Sequence, residues 1–150
     1  MIKKLLLPTR LIVFIGILSM LISSCSVTLI SEYDEITDRT ITELQSKTSR
    51  VLVQLEEEAG SDNYSNYKTF YRESKASLND LLIRANAIEK NQITVDHITL
   101  LSTNYSNMEK LHIKKLTKED VQLMRSAFNR SFTAMVKLQL AKKRGEKKPN

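Results

Sequence analysis

Residues 117–138 read TKEDVQLMRSAFNRSFTAMVKL. Val121, Met124, Phe128, Phe132, Met135 and Leu138 fall three or four apart. That spacing puts six apolar side chains on one face of an α-helix. Thr117 stands where a helix cap is wanted, and Asp120 follows three residues on, where a capping box carries Glu or Gln. The pattern runs to about Lys143, and Gly145 is a natural stop. One stripe of this kind cannot bury itself, so the helix needs partners.

Three other segments supply them. From about Ser31 to Glu58 the stripe is Tyr33, Ile36, Thr37, Ile41, Leu44, Thr48, Val51 and Leu55, with Ser31 as the expected cap and Glu32, Asp34 and Glu35 suiting the positive end of the helix dipole. It stops at Ala59-Gly60-Ser61-Asp62-Asn63. From about Ser65 to Lys90 the stripe is Tyr67, Phe70, Tyr71, Ser74, Leu78, Leu81, Ala85 and Ile88, with Asn91 expected as a left-handed stop and Tyr64 in the preceding loop. After Thr94 come Ile98, Leu101, Tyr105, Met108 and Leu111. Ser102 to Asn107 is rich in poor helix formers, which leaves room for a break there.

Between Cys25 and Arg144 there is one Gly and no Pro, which favours long helices over many turns. Short connections make neighbours antiparallel. The expected fold is all-α, an antiparallel up-down four-helix bundle over residues 31–144. The alternative is a three-helix bundle with a broken third segment. With 150 residues, 41% hydrophobic and 27% charged, the chain has room for one domain and the ordinary charge and apolar content of a folded protein. A single Cys excludes an intramolecular disulfide framework and a multi-thiolate metal site.

The N-terminus reads as an address. Lys3, Lys4 and Arg10 precede an almost wholly apolar run from Leu11 to Ile22, shorter than the roughly 20 residues of a membrane span. The run ends at Leu21-Ile22-Ser23-Ser24-Cys25, where the only thiol in the chain meets two small residues. This stretch resembles the lipobox of bacterial lipoprotein precursors. The resemblance implies a signal peptide over residues 1–24, cleavage before Cys25, and a diacylglycerol on the Cys25 thiol. Residues 25–30 then form a lipidated N-terminus and short linker. Residue 26 is Ser rather than Asp, which by the same resemblance implies the periplasmic face of the outer membrane. The alternative is the outer leaflet of the plasma membrane.

Charge is segregated. Residues 31–62 hold 9 acids and 3 bases, residues 63–109 hold 5 of each, and residues 110–150 hold 12 bases and 3 acids. In a four-helix bundle the first and last helices are neighbours, so opposite charges face each other. An even number of helices also returns the C-terminus, with its basic tail over 145–150, to the end where the chain entered. Lys142, Lys143, Arg144, Lys147 and Lys148 are therefore expected near lipid or lipopolysaccharide headgroups, where each base contributes about 1 kcal/mol at best. A solvated tail that complements the helix dipole is the plainer account. Glu56, Glu57 and Glu58 sit at the negative end of the first helix, where bases are preferred. Either Lys68, Lys110, Lys114, Lys115 and Lys118 neutralise them, or they form a patch for a partner, together with Tyr64.

No catalytic constellation emerges. Glu109-Lys110-Leu111-His112 is a single Glu-x-x-His, whereas dimetal bundles use two with further carboxylates. His97, the other histidine, is 15 residues away, too far along one helix to share a metal. There is no His-Glu-x-x-His, Gly-rich phosphate loop or nucleophile elbow. No enzyme activity, metal or cofactor is expected, and no nucleic-acid partner, because residues 137–150 offer bases without aromatics to stack on. The expectation is a membrane-anchored lipoprotein serving as an accessory or adaptor for an envelope protein. The alternative is a bundle that binds a lipid or small apolar ligand in its core, with Thr37, Thr40, Thr48 and Ser74 lining the site.

Overall fold

Short connections and one apolar stripe per helix produce an antiparallel bundle of four. The computed structural model describes residues 30–146. Helices α1 (Glu35–Glu57), α2 (Tyr64–Ala87), α3 (Gln92–Ile113) and α4 (Lys118–Gly145) are 23, 24, 22 and 28 residues long. At 1.5 Å per residue they measure roughly 33–42 Å. They pack in a ring, α1 on α4, α4 on α3 and α3 on α2, with α1 and α2 closing it through the loosest seam. No strand occurs among the described residues. Residues 1–24, expected to be a signal peptide, and Cys25, Lys147 and Lys148 lie outside them.

The helix ends differ from expectation in instructive ways. Asp34, not Ser31, occupies the N-cap of α1, and the chain from Ser31 to Asp34 crosses the bundle end as an extended strap. Asn91 is the N-cap of α3 at φ −106°, while Lys90 takes the left-handed conformation at φ 57°. The cause is the Asn91 side chain, which is buried and hydrogen-bonded inside the bundle and could not reach those partners one position earlier. Tyr64 is the first residue of α2 rather than part of the loop. Thr117 and Asp120 complete a reciprocal capping box. Thr117 Oγ1 accepts from the Asp120 amide at 3.1 Å, and the Asp120 carboxylate accepts from the Thr117 amide at 3.0 Å.

Helix α3 is continuous. The Ser102 and Thr103 hydroxyls donate to the carbonyls of Ile98 and Thr99, four residues back, and Asn104 Nδ2 donates to Ser131 Oγ of α4 at 2.9 Å. These polar side chains therefore bond within the helix or across its seam instead of diverting the backbone.

Tyr71, Tyr105, Phe128, Ile41, Leu78, Ile98 and Met135 are nearly inaccessible at the centre. Tyr105 meets Phe128 edge-on at 4.8 Å between ring centres, a favoured aromatic geometry. The stripes shift by one residue in three places. Leu52 is buried in place of Val51, His112 in place of Leu111 and Gln139 in place of Leu138, while Ile36 is exposed. Adjacent helix positions lie only about 100° apart, so either can face the core.

Thr37 and Thr48 are taken up by bonds of their own, while the buried Ser74 hydroxyl has no hydrogen-bond partner. Thr48 Oγ1 donates to the Leu44 carbonyl at 2.7 Å and so accepts from the Tyr105 hydroxyl. Burial pushes the Tyr105 phenol up to about 12, and its bond to Thr48 opposes that shift. Thr37 Oγ1 donates to the Asp34 carboxylate. None of the four principal hollows among the described residues is lined by Thr37, Thr40, Thr48 or Ser74. Gln139 is 1% exposed, and both its amide atoms lack a partner.

An unpartnered buried amide costs about 1–3 kcal/mol. Gln139→Met should therefore raise stability by about 1–2 kcal/mol in urea denaturation. Phe128→Ala should lower it by about 3–5 kcal/mol. Ile83→Ala, at an exposed site on α2, should stay within about 0.5 kcal/mol.

Candidate functional site at the two bundle ends

The end where the chain enters is built around Asn91. The Ser31 amide donates to the Lys90 carbonyl at 3.0 Å, and Ser31 Oγ donates to Asn91 Oδ1 at 2.8 Å. The same Oδ1 accepts from Lys142 Nζ at 2.7 Å, while Asn91 Nδ2 donates to the Ala85 carbonyl at 3.0 Å. Lys142 Nζ also donates to Thr94 Oγ1 at 2.8 Å. Beside this hub, Arg84 forks onto Asp34 with both bonds at 2.6 Å and holds that carboxyl down at about 2, against the opposing effect of burial. The Tyr33 amide donates to Glu146, and Lys143 lies 5.1 Å from the Tyr33 ring centre.

The expected basic cluster is therefore smaller than the sequence suggests. Lys142 is only 5% exposed, and its ammonium is enclosed by Asn91 and Thr94, so it is not available to headgroups. Burial lowers its pKa, and Asp34 partly opposes that. Lys143 and Arg144 remain exposed. So do Glu32, Glu35, Glu89 and Glu146, which makes this end mixed in charge rather than uniformly basic.

The opposite end gathers Glu58, Asn63, Tyr64, Tyr67, Tyr71, Glu109 and His112. Asn63 Oδ1 can only accept, so His112 Nε2 carries the proton of the 2.6 Å bond between them. His112 Nδ1 then accepts from the Tyr71 hydroxyl at 2.9 Å. Asn63 Nδ2 donates to the Glu58 carboxylate, which also accepts from the Tyr67 hydroxyl at 3.0 Å. Tyr64 donates to Glu109 at 3.0 Å, and Lys75 pairs with the other oxygen of that carboxylate. The Tyr64, Tyr67 and Tyr71 rings surround the imidazole with centres 5.2–5.8 Å away. Burial pushes the Tyr67 phenol up to about 12, with Glu58 adding to it, and raises Tyr71 further. A second tie, from the Gly60 amide to the Leu116 carbonyl at 2.8 Å, locks the α1–α2 loop onto the α3–α4 loop.

Of the acidic triplet, Glu56 is answered by α4 rather than by the surrounding lysines alone. Arg125 donates to its carboxylate at 2.5 Å and to the Leu52 carbonyl at 3.1 Å, and Gln122 adds a longer bond. The Gln122 bond, the Arg125 bond and the nearby Arg125 and Lys118 charges lower the Glu56 pKa. Glu58 turns into the tyrosine–histidine cluster, and Glu57 is left exposed. Sequence reasoning found Glu58 and Tyr64 and missed His112, Asn63 and Tyr71 as their associates. The usable signal was His112 seven residues after Tyr105, on the same face. Glu109 and His112 engage different neighbours. No group of three or more metal-ligating side chains forms among the described residues. The cluster clamps the α1–α2 loop to α2 and α3.

No helix among the described residues is long and apolar enough to cross a membrane. No protein-family model, curated protein or solved structure matches the chain.

Burial lowers the pKa of His112, while Glu58 opposes the shift. Above about pH 6.5 the imidazole is neutral in the folded and unfolded chain alike and adds no pH dependence. Below it the unfolded chain takes up the proton first, so stability falls until the folded imidazole also protonates. Denaturation midpoints measured between pH 7 and pH 5 should fall in the native protein, and His112→Gln should flatten the part of that slope due to this residue.

Proposed function

We propose that the mature chain, from Cys25 onward, is a lipid-anchored bacterial lipoprotein on the periplasmic face of the outer membrane, acting without enzymatic activity as an accessory or adaptor for an envelope protein. The observation that carries this reading is a coincidence of place. The lipobox-like Leu21-Ile22-Ser23-Ser24-Cys25 ends about five residues before the strap that is pinned to Asn91. That linker reaches at most about 18 Å. An acylated Cys25 would thus hold the Asn91 end near the membrane and leave the Glu57 and Tyr64 end roughly one helix length away. Each buried acyl methylene contributes about 0.8 kcal/mol, so two or three chains anchor durably. The close-packed core favours a surface that engages protein over a core that holds a ligand.

Intact-mass analysis of the membrane fraction should give a chain that begins at Cys25 and carries acyl groups, and Cys25→Ala should abolish both the acylation and the membrane retention. Amine-reactive cross-linking in living cells should then yield one dominant envelope protein. An unmodified Cys25 would remove the anchor. Recovery of lipid and abundant envelope proteins alone would remove the adaptor.

A further inference from the structure

The seam between α3 and α4 is apolar, open and basic on one side. A hollow of about 290 Å³ lies between His97 and Leu100 of α3 and Ala127 and Ala134 of α4. Leu100 is 54% exposed at its wall. The two alanines are seven residues apart on one row of α4, so the floor is low and a third backbone can approach closely. Arg130 and Ala134 also line a second, shallower hollow with Lys137, so the groove runs on into a cationic shelf. Exposed Ile93 lies seven residues before Leu100 on α3, and exposed Leu123 lies four residues before Ala127 on α4. They continue the apolar strip toward both ends of the bundle.

The charge on this face is unanswered. Between Val121 and Gly145, α4 carries six bases and no acid. Arg125 is paired with Glu56, Lys142 is buried, and Lys143 covers Tyr33. Arg130 and Lys137 have no carboxylate partner among the described residues. On the α3 side, Asp96 accepts from Gln92. Inside the groove, His97 Nδ1 is buried without a hydrogen-bond partner.

From these observations we infer that the α3–α4 groove is the docking surface for an amphipathic, acidic helix of the protein partner. This rests on the adaptor reading above and names its binding face. A straight apolar strip between two antiparallel helices accepts the ridge of a third, with its anchors at helical spacing. Carboxylates flanking those anchors meet Arg130 and Lys137. A two-fold contact with a second copy would bring these cations against themselves. The groove is half-open, whereas an acyl chain favours an enclosed site.

The test is photo-cross-linking in cells with the full-length protein, using a photoreactive phenylalanine analogue at position 100, at position 57 on the distal end, or at position 83 on the outer face of α2. Position 100 should capture one protein, with the cross-link mapping by mass spectrometry to a helical segment of net negative charge. Arg130→Glu with Lys137→Glu should cut that capture at least about tenfold, because like charges then oppose each other. Position 83 should capture none. A second copy of the chain, a lipid or a basic segment at position 100 would overturn the inference, as would capture that the double charge reversal leaves unchanged. Capture of a partner from position 57 alone would overturn it while sparing the adaptor reading. No protein captured from either position would overturn both.

Discussion

One side-chain amide holds three parts of the chain together. Asn91 accepts from Ser31 of the entry strap, accepts from Lys142 at the end of α4, and donates to the Ala85 carbonyl at the end of α2. Each bond alone contributes on the order of 1 kcal/mol. Their shared acceptor makes them interdependent. Without Asn91, Lys142 would be a buried cation supported by Thr94 alone, and the strap would lose its side-chain anchor. The entry and exit of the chain are thereby fixed at the same place on the bundle, and every argument about which end faces a membrane follows from that.

The remaining polar groups act in the same way, joining elements that apolar packing only brings near. Tyr105 reaches Thr48 across the core, Arg125 reaches Glu56 across the α1–α4 seam, and His112 ties the α1–α2 loop to α3 through Asn63. The charge segregation seen in the sequence is partly resolved by these pairings. Across the α1–α4 seam Glu56 is matched by Arg125, while Arg130 and Lys137 on α4 have no carboxylate partner among the described residues.

Much of the fold was legible before any coordinates. The 3.6-residue period, the lone Gly60 and the short connections identify four helices, and the sums of charge point to the α1–α4 seam. The errors share a cause. Asn91 reads as a left-handed stop because its local preference favours that, but its long-range partners at positions 31 and 142 decide otherwise. Lys142 reads as surface because lysine ordinarily is, and only the return of α4 to Asn91 and Thr94 explains its burial. His112 and Gln139 were passed over for their leucine neighbours, since hydrophobic periodicity favours the apolar member of an adjacent pair. The candidate sites were less legible than the fold. They depend on which faces remain uncovered, and no local pattern records that.

The central claim is that an anchor at Cys25 presents the Asn91 end to the membrane and the Glu57 end away from it. Cys25 is the single cysteine of the sequence, and acylation would occupy its thiol, so Glu89→Cys or Glu57→Cys would each introduce a single labelling site. The lipidated protein, labelled with a fluorophore and reconstituted in vesicles that carry a headgroup quencher, should be strongly quenched at position 89 and little at position 57. Equal quenching at both positions, or none at either, would contradict the account.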